Sequence, residues 1–134
     1  MDNMVIKNAE EKIDKFKSYY NMLNQWLILK QEGKSLATYF EENGYKKIAI
    51  YGMGEMGNRL LDDLKNTEIS VAYAVDKNAG ESYSEVEIFE PDEQLQDVDV
   101  MVVSAVFAFD TVAEQMQDAL TCPIISLEDV IYEV

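Results

Sequence analysis

The chain contains no histidine and so lacks the side chain that most often serves as general base or metal ligand. Neither a Ser-His-Asp triad nor a thiolate–imidazole pair can be built from it alone, and one cysteine without histidine is a poor zinc set. The one cysteine, Cys122, has no partner for an internal disulfide, which fits a reducing cytoplasm. Cations are scarce, with 11 basic against 26 acidic residues and a formal net charge of −15. That field repels nucleic acids and anionic lipid surfaces, so neither is an expected partner. Long apolar runs are missing as well. Val71–Val75 and Val98–Phe109, the second interrupted by Asp99 and Ser104, fall short of the roughly 18 residues a membrane span needs. The start of the chain carries Asp2 and no long apolar core, so a signal peptide is not expected.

What remains describes a soluble globular domain. The 134 residues are 48% apolar and 28% charged, enough for one hydrophobic core. The most informative stretch is Ile48-Ala49-Ile50-Tyr51-Gly52-Met53-Gly54-Glu55-Met56-Gly57. A short apolar run ends in glycines spaced G-x-G-x-x-G, and a helical pattern follows through Leu60, Leu61 and Leu64. Strand, tight turn and helix N-terminus are the order a dinucleotide-binding turn requires. Gly52 permits the turn, Gly54 admits a pyrophosphate close to the backbone, and Gly57 lets the helix pack on the strand. Free N–H groups and the positive end of the helix dipole then hold phosphate.

The flanking chain reads as α/β alternation. Residues 1–8 look like a frayed lead-in. From about Ala9 to Gln31, Ile13, Phe16, Tyr20, Leu23 and Leu27 recur at helical 3-4 spacing, broadened by Tyr19 and Trp26. That stripe either covers a face of the sheet or forms a homodimer contact through Ile13, Phe16, Tyr20, Leu23, Trp26 and Leu27. Ser35 can cap a short helix from Leu36 to about Asn43, with Gly44 as its left-handed stop. Strands are expected at Lys47–Tyr51, Ser70–Val75, Val86–Phe89, Val98–Ser104 and Cys122–Leu127. Helices are expected at about Glu55–Asn66, as a turn at Pro91–Leu95, from a cap at Asp110 or at Thr111, which matches a capping box with Glu114, to about Leu120, and at Leu127–Tyr132. The whole predicts a Rossmann-like parallel sheet of about five strands, residues 45–134, with a helical N-terminal extension, residues 1–44.

Ligands of such sheets bind beyond the carboxyl ends of the strands. Those ends are Gly52, Met53, Gly54, Glu55, Met56 and Gly57, then Asp76 with Lys77, then Ser104 and Ala105. Asp76 lies where a dinucleotide-binding unit places the carboxylate that takes the adenosine ribose, which favours NAD over NADP. The alternative is a strand-end residue that caps the following turn. Glu55 either points harmlessly to solvent or signals a ligand other than a dinucleotide, since its charge repels a pyrophosphate. Ser104 binds ligand or satisfies nearby backbone, and Phe107 and Phe109 stack on a ring or pack. Tyr51, Tyr73 and Tyr83 are possible proton donors, but no carboxylate pair forms an evident acid–base couple.

From Tyr39 onward the chain resembles small bacterial Rossmann-like domains of polysaccharide and surface-sugar biosynthesis proteins. It is also similar to the nucleotide-sugar-binding N-terminal domain of sialic-acid and bacillosamine-type acetyltransferases. The residues that carry this are Lys47–Gly57, Ala74-Val75-Asp76-Lys77-Asn78, Val98–Ser104 and Pro123-Ile124-Ile125-Ser126-Leu127. The acetyltransferases have Gly and His at the positions of Glu55 and Met56, and their catalytic hexapeptide-repeat domain has no counterpart here. The resemblance therefore implies binding of NAD or a nucleotide-sugar without transferase activity, in an accessory or sensor role beside a polysaccharide-biosynthesis enzyme. A ligand-free interaction module dimerising through the first helix, or a small NAD-dependent reductase, are the alternatives.

Overall fold

The computed structural model describes residues 3–81 and 84–134. Among them, five strands form one all-parallel sheet, in the order β3-β2-β1-β4-β5. The strands are β1 (Lys47–Tyr51), β2 (Ser70–Val75), β3 (Ile88–Phe89), β4 (Val100–Val103) and β5 (Ile124–Ser126). β1 is central, pairing with β2 on one side and β4 on the other. The strand order reverses there, so the crevice for a ligand opens at the carboxyl end of β1.

Helices cover both faces, which is why the strands are apolar on both sides rather than alternating. On one face Ile48, Ile50, Val100 and Val102 pack with α1 (Asn3–Gln31), α2 (Ala37–Glu42), α3 (Glu55–Leu64) and α5 (Leu127–Glu133). On the other, Ala49, Tyr51, Met101 and Val103 pack with Val112 and Met116 of α4 (Phe109–Met116). The long helix joins the first core through Met22, Trp26 and Leu29. Each such burial is worth about 1.5–3 kcal/mol. No described helix is long and apolar enough to cross a membrane.

β1 and β2 have the expected bounds, and Gly44 ends α2 at φ +73° in a Schellman turn, Tyr45 N–H to Phe40 C=O at 2.8 Å. Ser35 accepts from the Ala37 N–H at 3.1 Å, so it does serve the start of α2. Other boundaries differ. The lead-in is helical from Asn3, and α3 stops at Leu64 because Lys65 turns extended at ψ 142°, ahead of a left-handed Asn66 at φ +61°. β3 has two residues, with Val86 and Glu87 outside it. Pro91–Leu95 is not a helical turn: the Glu93 carboxylate accepts from the Glu90 N–H at 2.5 Å and closes a tight bend instead. β4 and β5 are shorter at both ends than expected. The Thr111/Glu114 capping box does not form, because a 3₁₀ turn at Val106–Ala108 starts the helix earlier and leaves Thr111 inside α4. That helix ends at Met116 rather than Leu120. Ser126 caps α5 by accepting from Glu128 N–H at 3.3 Å.

Candidate ligand crevice

The turn after β1 is held from three directions. Gly52 lies at φ +97°, and a Cβ there would meet the Ser104 Oγ at 2.6 Å, so conformation and space both demand glycine. Its N–H donates to the Val75 carbonyl at 2.7 Å, which ties the turn to the end of β2. A Cβ on Gly57 would come within 2.0 Å of the Gly52 carbonyl oxygen, so α3 lies directly on the turn. Gly54, by contrast, is the N-cap of α3 with open space around its Cβ position. No side chain caps α3, and its first-turn N–H groups are left for a ligand.

Asp76 is a fastener of this turn. One carboxylate oxygen accepts from the Met53 N–H at 2.7 Å and the other from the Asn78 N–H at 2.8 Å. The strand-end alternative thus describes its present bonds, and a ribose hydroxyl would have to share those oxygens. Ser104 is buried and its hydroxyl donates to the Gly52 carbonyl at 2.6 Å, with the Tyr51 carbonyl at 3.1 Å. It holds the turn's backbone. Asn58 completes the clamp, donating to the Gly54 carbonyl at 3.0 Å.

Above the turn lies a crevice of about 660 Å³ lined by Gly52, Gly54, Glu55, Met56, Asp76, Ser104 and Ala105. Met53 and Gly57 are buried under it, and Lys77 is exposed beside it without lining it. Its opposite wall comes from α1: Phe16, Tyr19, Tyr20 and Leu23. The sequence pattern reads these as core or dimer stripe, and only the folded chain shows that they face the glycine turn. Tyr19 also packs edge-on against Phe107, ring centroids 5.0 Å apart, with the Lys15 ammonium 5.8 Å from the Phe107 ring. Phe107 is therefore an exposed neighbour of the wall, while Phe109 packs into the second core.

An adjoining groove adds Asn58, Arg59 and Glu81. Arg59 is the chain's only arginine, and it pairs with Asp62 at 3.0 Å on an exposed surface. The sequence signal for it was its place in the second turn after G-x-G-x-x-G. The charged side chains lining the crevice itself are Glu55 and Asp76, both acidic.

Of the possible proton donors, Tyr51 and Tyr73 lie in the second core, not in the crevice. The Tyr51 hydroxyl donates to Gln115 at 3.4 Å, and burial, then the charge of Asp76, raises its pKa. The Tyr73 hydroxyl donates to the Gln96 carbonyl at 2.8 Å, and burial pushes its pKa up to about 12. Both are held as neutral phenols. Tyr83 falls outside the described residues.

The helix α1 reaches the crevice because Asp63 of α3 anchors it. This carboxylate is nearly inaccessible to solvent and accepts from the Trp26 indole N–H at 2.9 Å and the Leu36 N–H at 3.2 Å. The Lys30 ammonium sits 2.5 Å from its other oxygen. Trp26 is thereby buried in its own chain and is withdrawn from the expected dimer contact.

Residues 43–126, from the end of α2 through β5, match the sequence model of the CoA binding domain. The chain belongs to the CoA-binding domain family. The match spans every strand and the whole glycine turn, so the Rossmann-like architecture and the family agree. A nucleotide-type ligand is consistent with both. No curated protein and no solved structure matches the chain.

Proposed function

We propose that this CoA-binding-family domain is a non-catalytic module that holds an adenine-nucleotide ligand, coenzyme A first among the candidates, between the glycine turn and α1. The observation that carries this is the pairing of an uncapped helix start at Gly54 with an aromatic wall across the same crevice. Phosphates suit the first, because backbone N–H groups and the helix dipole attract them without a cationic side chain. A planar base suits the second, since Phe16, Tyr19 and Tyr20 offer ring faces and edges. The volume, about 660 Å³, is in the range of small-molecule and cofactor sites.

NAD shares the ADP moiety with coenzyme A and is the second candidate. A nucleotide-sugar, and with it an accessory or sensor role beside a polysaccharide-biosynthesis enzyme, rests on the resemblance of Lys47–Gly57 and the strand-two ending. Calorimetric titration with coenzyme A, NAD and a UDP-sugar separates the three. Heat from coenzyme A with the tightest dissociation constant is the expected result. Silence from all three at millimolar ligand would leave the interaction-module reading in its place.

A further inference from the structure

Helix α1 has two apolar faces, and the fold uses only one. Met22, Trp26 and Leu29 are buried against the sheet domain. On the other side Ile6, Ile13, Phe16, Tyr20, Leu23 and Leu27 are 38–70% exposed. Ile6, Ile13, Tyr20 and Leu27 are spaced by sevens, and Ala9, Phe16 and Leu23 form the companion row. Together they are the a and d positions of a coiled-coil seam.

The helix also outruns its support. Residues 3–14 are exposed on all sides and line no part of the crevice, so the first three turns of α1 project from the body. A free-standing helix of that length is marginal in water, because nucleation is costly and no tertiary face offsets it. An apolar seam on such an arm needs an occupant.

We infer that the occupant is α1 of a second copy, running antiparallel. Charge decides the direction. In a parallel pair, Lys12 at g would face Lys17 at e of the second copy, twice by symmetry, and repel. An antiparallel pair centred between Ile13 and Phe16 sets Glu10 near Lys17 of the second copy, twice, and attracts. The same register layers Ile6 on Leu23, Ala9 on Tyr20 and Ile13 on Phe16. Net charge favours the helix over the body as the meeting surface: α1 carries five lysines against three acidic residues, in a chain of formal charge −15. Ile6, Ile13, Phe16, Tyr20 and Leu23 of both copies would leave water together, the apolar centre that a specific interface needs.

The pairing has a consequence for the crevice, one that rests on the nucleotide reading above. Phe16, Tyr20 and Leu23 belong to both the seam and the crevice wall. The second copy's projecting arm would lie along that wall and bring Lys12, at g like Tyr19, toward a crevice whose own charged lining is acidic. The dimer would thus supply a cation beside an anionic ligand.

Light scattering on the full chain without ligand tests the pairing independently of any nucleotide. The expected mass is twice 15.3 kDa, falling to the monomer in Ile13→Glu, whose side chain is outside the crevice. Unchanged Trp26 fluorescence would show that the body of that variant stays folded. Direction is read by cysteine cross-linking in a Cys122→Ser background. Ile6→Cys combined with Leu23→Cys should give a disulfide-linked pair, and Ile6→Cys alone should not. A monomeric wild type, a dimer that survives Ile13→Glu, or cross-linking of Ile6→Cys alone would overturn the proposal.

Discussion

The Asp76 carboxylate accepts a hydrogen bond from the Met53 N–H at 2.7 Å, so the end of β2 fixes the shape of the turn after β1. Its second oxygen holds the Asn78 N–H. Replacing it with alanine removes both acceptors and should cost about 1–3 kcal/mol in urea unfolding. Affinity should fall for every ligand that uses the turn, not only for those with an adenosine ribose. Asp76→Asn keeps one acceptor oxygen and should recover part of both losses. Loss confined to ligands with an adenosine ribose, with stability unchanged, would assign Asp76 to the ligand instead.

Gly54 and Gly57 separate binding from folding. A Cβ at Gly57 meets the Gly52 carbonyl oxygen at 2.0 Å, so Gly57→Ala must push α3 off the turn. Overpacking of this kind costs about 1–3 kcal/mol or more, and thermal unfolding should show it. At Gly54 the Cβ position is open, and φ is −81°, so Gly54→Val should lose only the better N-cap residue, about 1 kcal/mol, and unfold slightly below the wild type. Its side chain occupies the approach to the α3 N–H groups, and ligand heats should vanish. Equal destabilisation by the two substitutions would contradict this geometry.

Much of this architecture is legible in the sequence, for physical reasons that differ along the chain. The strands Lys47–Tyr51 and Ser70–Val75 are apolar after their first residue because helices cover both faces of the sheet, and their bounds match. The glycines of the turn mark positions where a Cβ or an ordinary φ fails, at Gly52 and Gly57. Less is legible where one local signal serves two outcomes. Glu93 bends the chain back to Glu90 although Pro91 reads as a helix start. The stripe of α1 looks alike whether it packs, pairs or walls a crevice. Asp63 gives no periodic signal at all, yet it directs α1 by binding Trp26, Lys30 and Leu36.

Asp63 is accordingly the residue whose loss should free α1. Asp63→Ala strands the Trp26 indole N–H and the Leu36 N–H, and should destabilise by about 2–3 kcal/mol. Trp26, now 5% exposed, should gain solvent and shift its emission to the red before global unfolding. Unshifted fluorescence in this variant would contradict the anchoring role.

The acid limb of stability should carry the signature of Asp99. Its carboxylate accepts from the Lys47 N–H at 2.9 Å and the Lys46 N–H at 2.8 Å, and these bonds hold its pKa below the ordinary value of 3.8. A carboxyl with a depressed folded pKa stabilises above its unfolded pKa, and that contribution disappears as pH falls through the folded value. The difference in unfolding midpoint between wild type and Asp99→Ala should therefore be constant from pH 7 to about 5 and shrink below about 4. A difference that persists unchanged to pH 2 would contradict the assignment.

A nucleotide ligand seated on the uncapped start of α3 and against α1 would perturb both elements at once. Amide chemical-shift mapping during titration with coenzyme A tests it most directly. The expected result is saturable shifts at Gly54, Glu55 and Met56 together with Phe16, Tyr19 and Tyr20, and little change in β5 or α5. Saturable shifts elsewhere, or no shifts at millimolar coenzyme A, NAD and UDP-sugar alike, would contradict it.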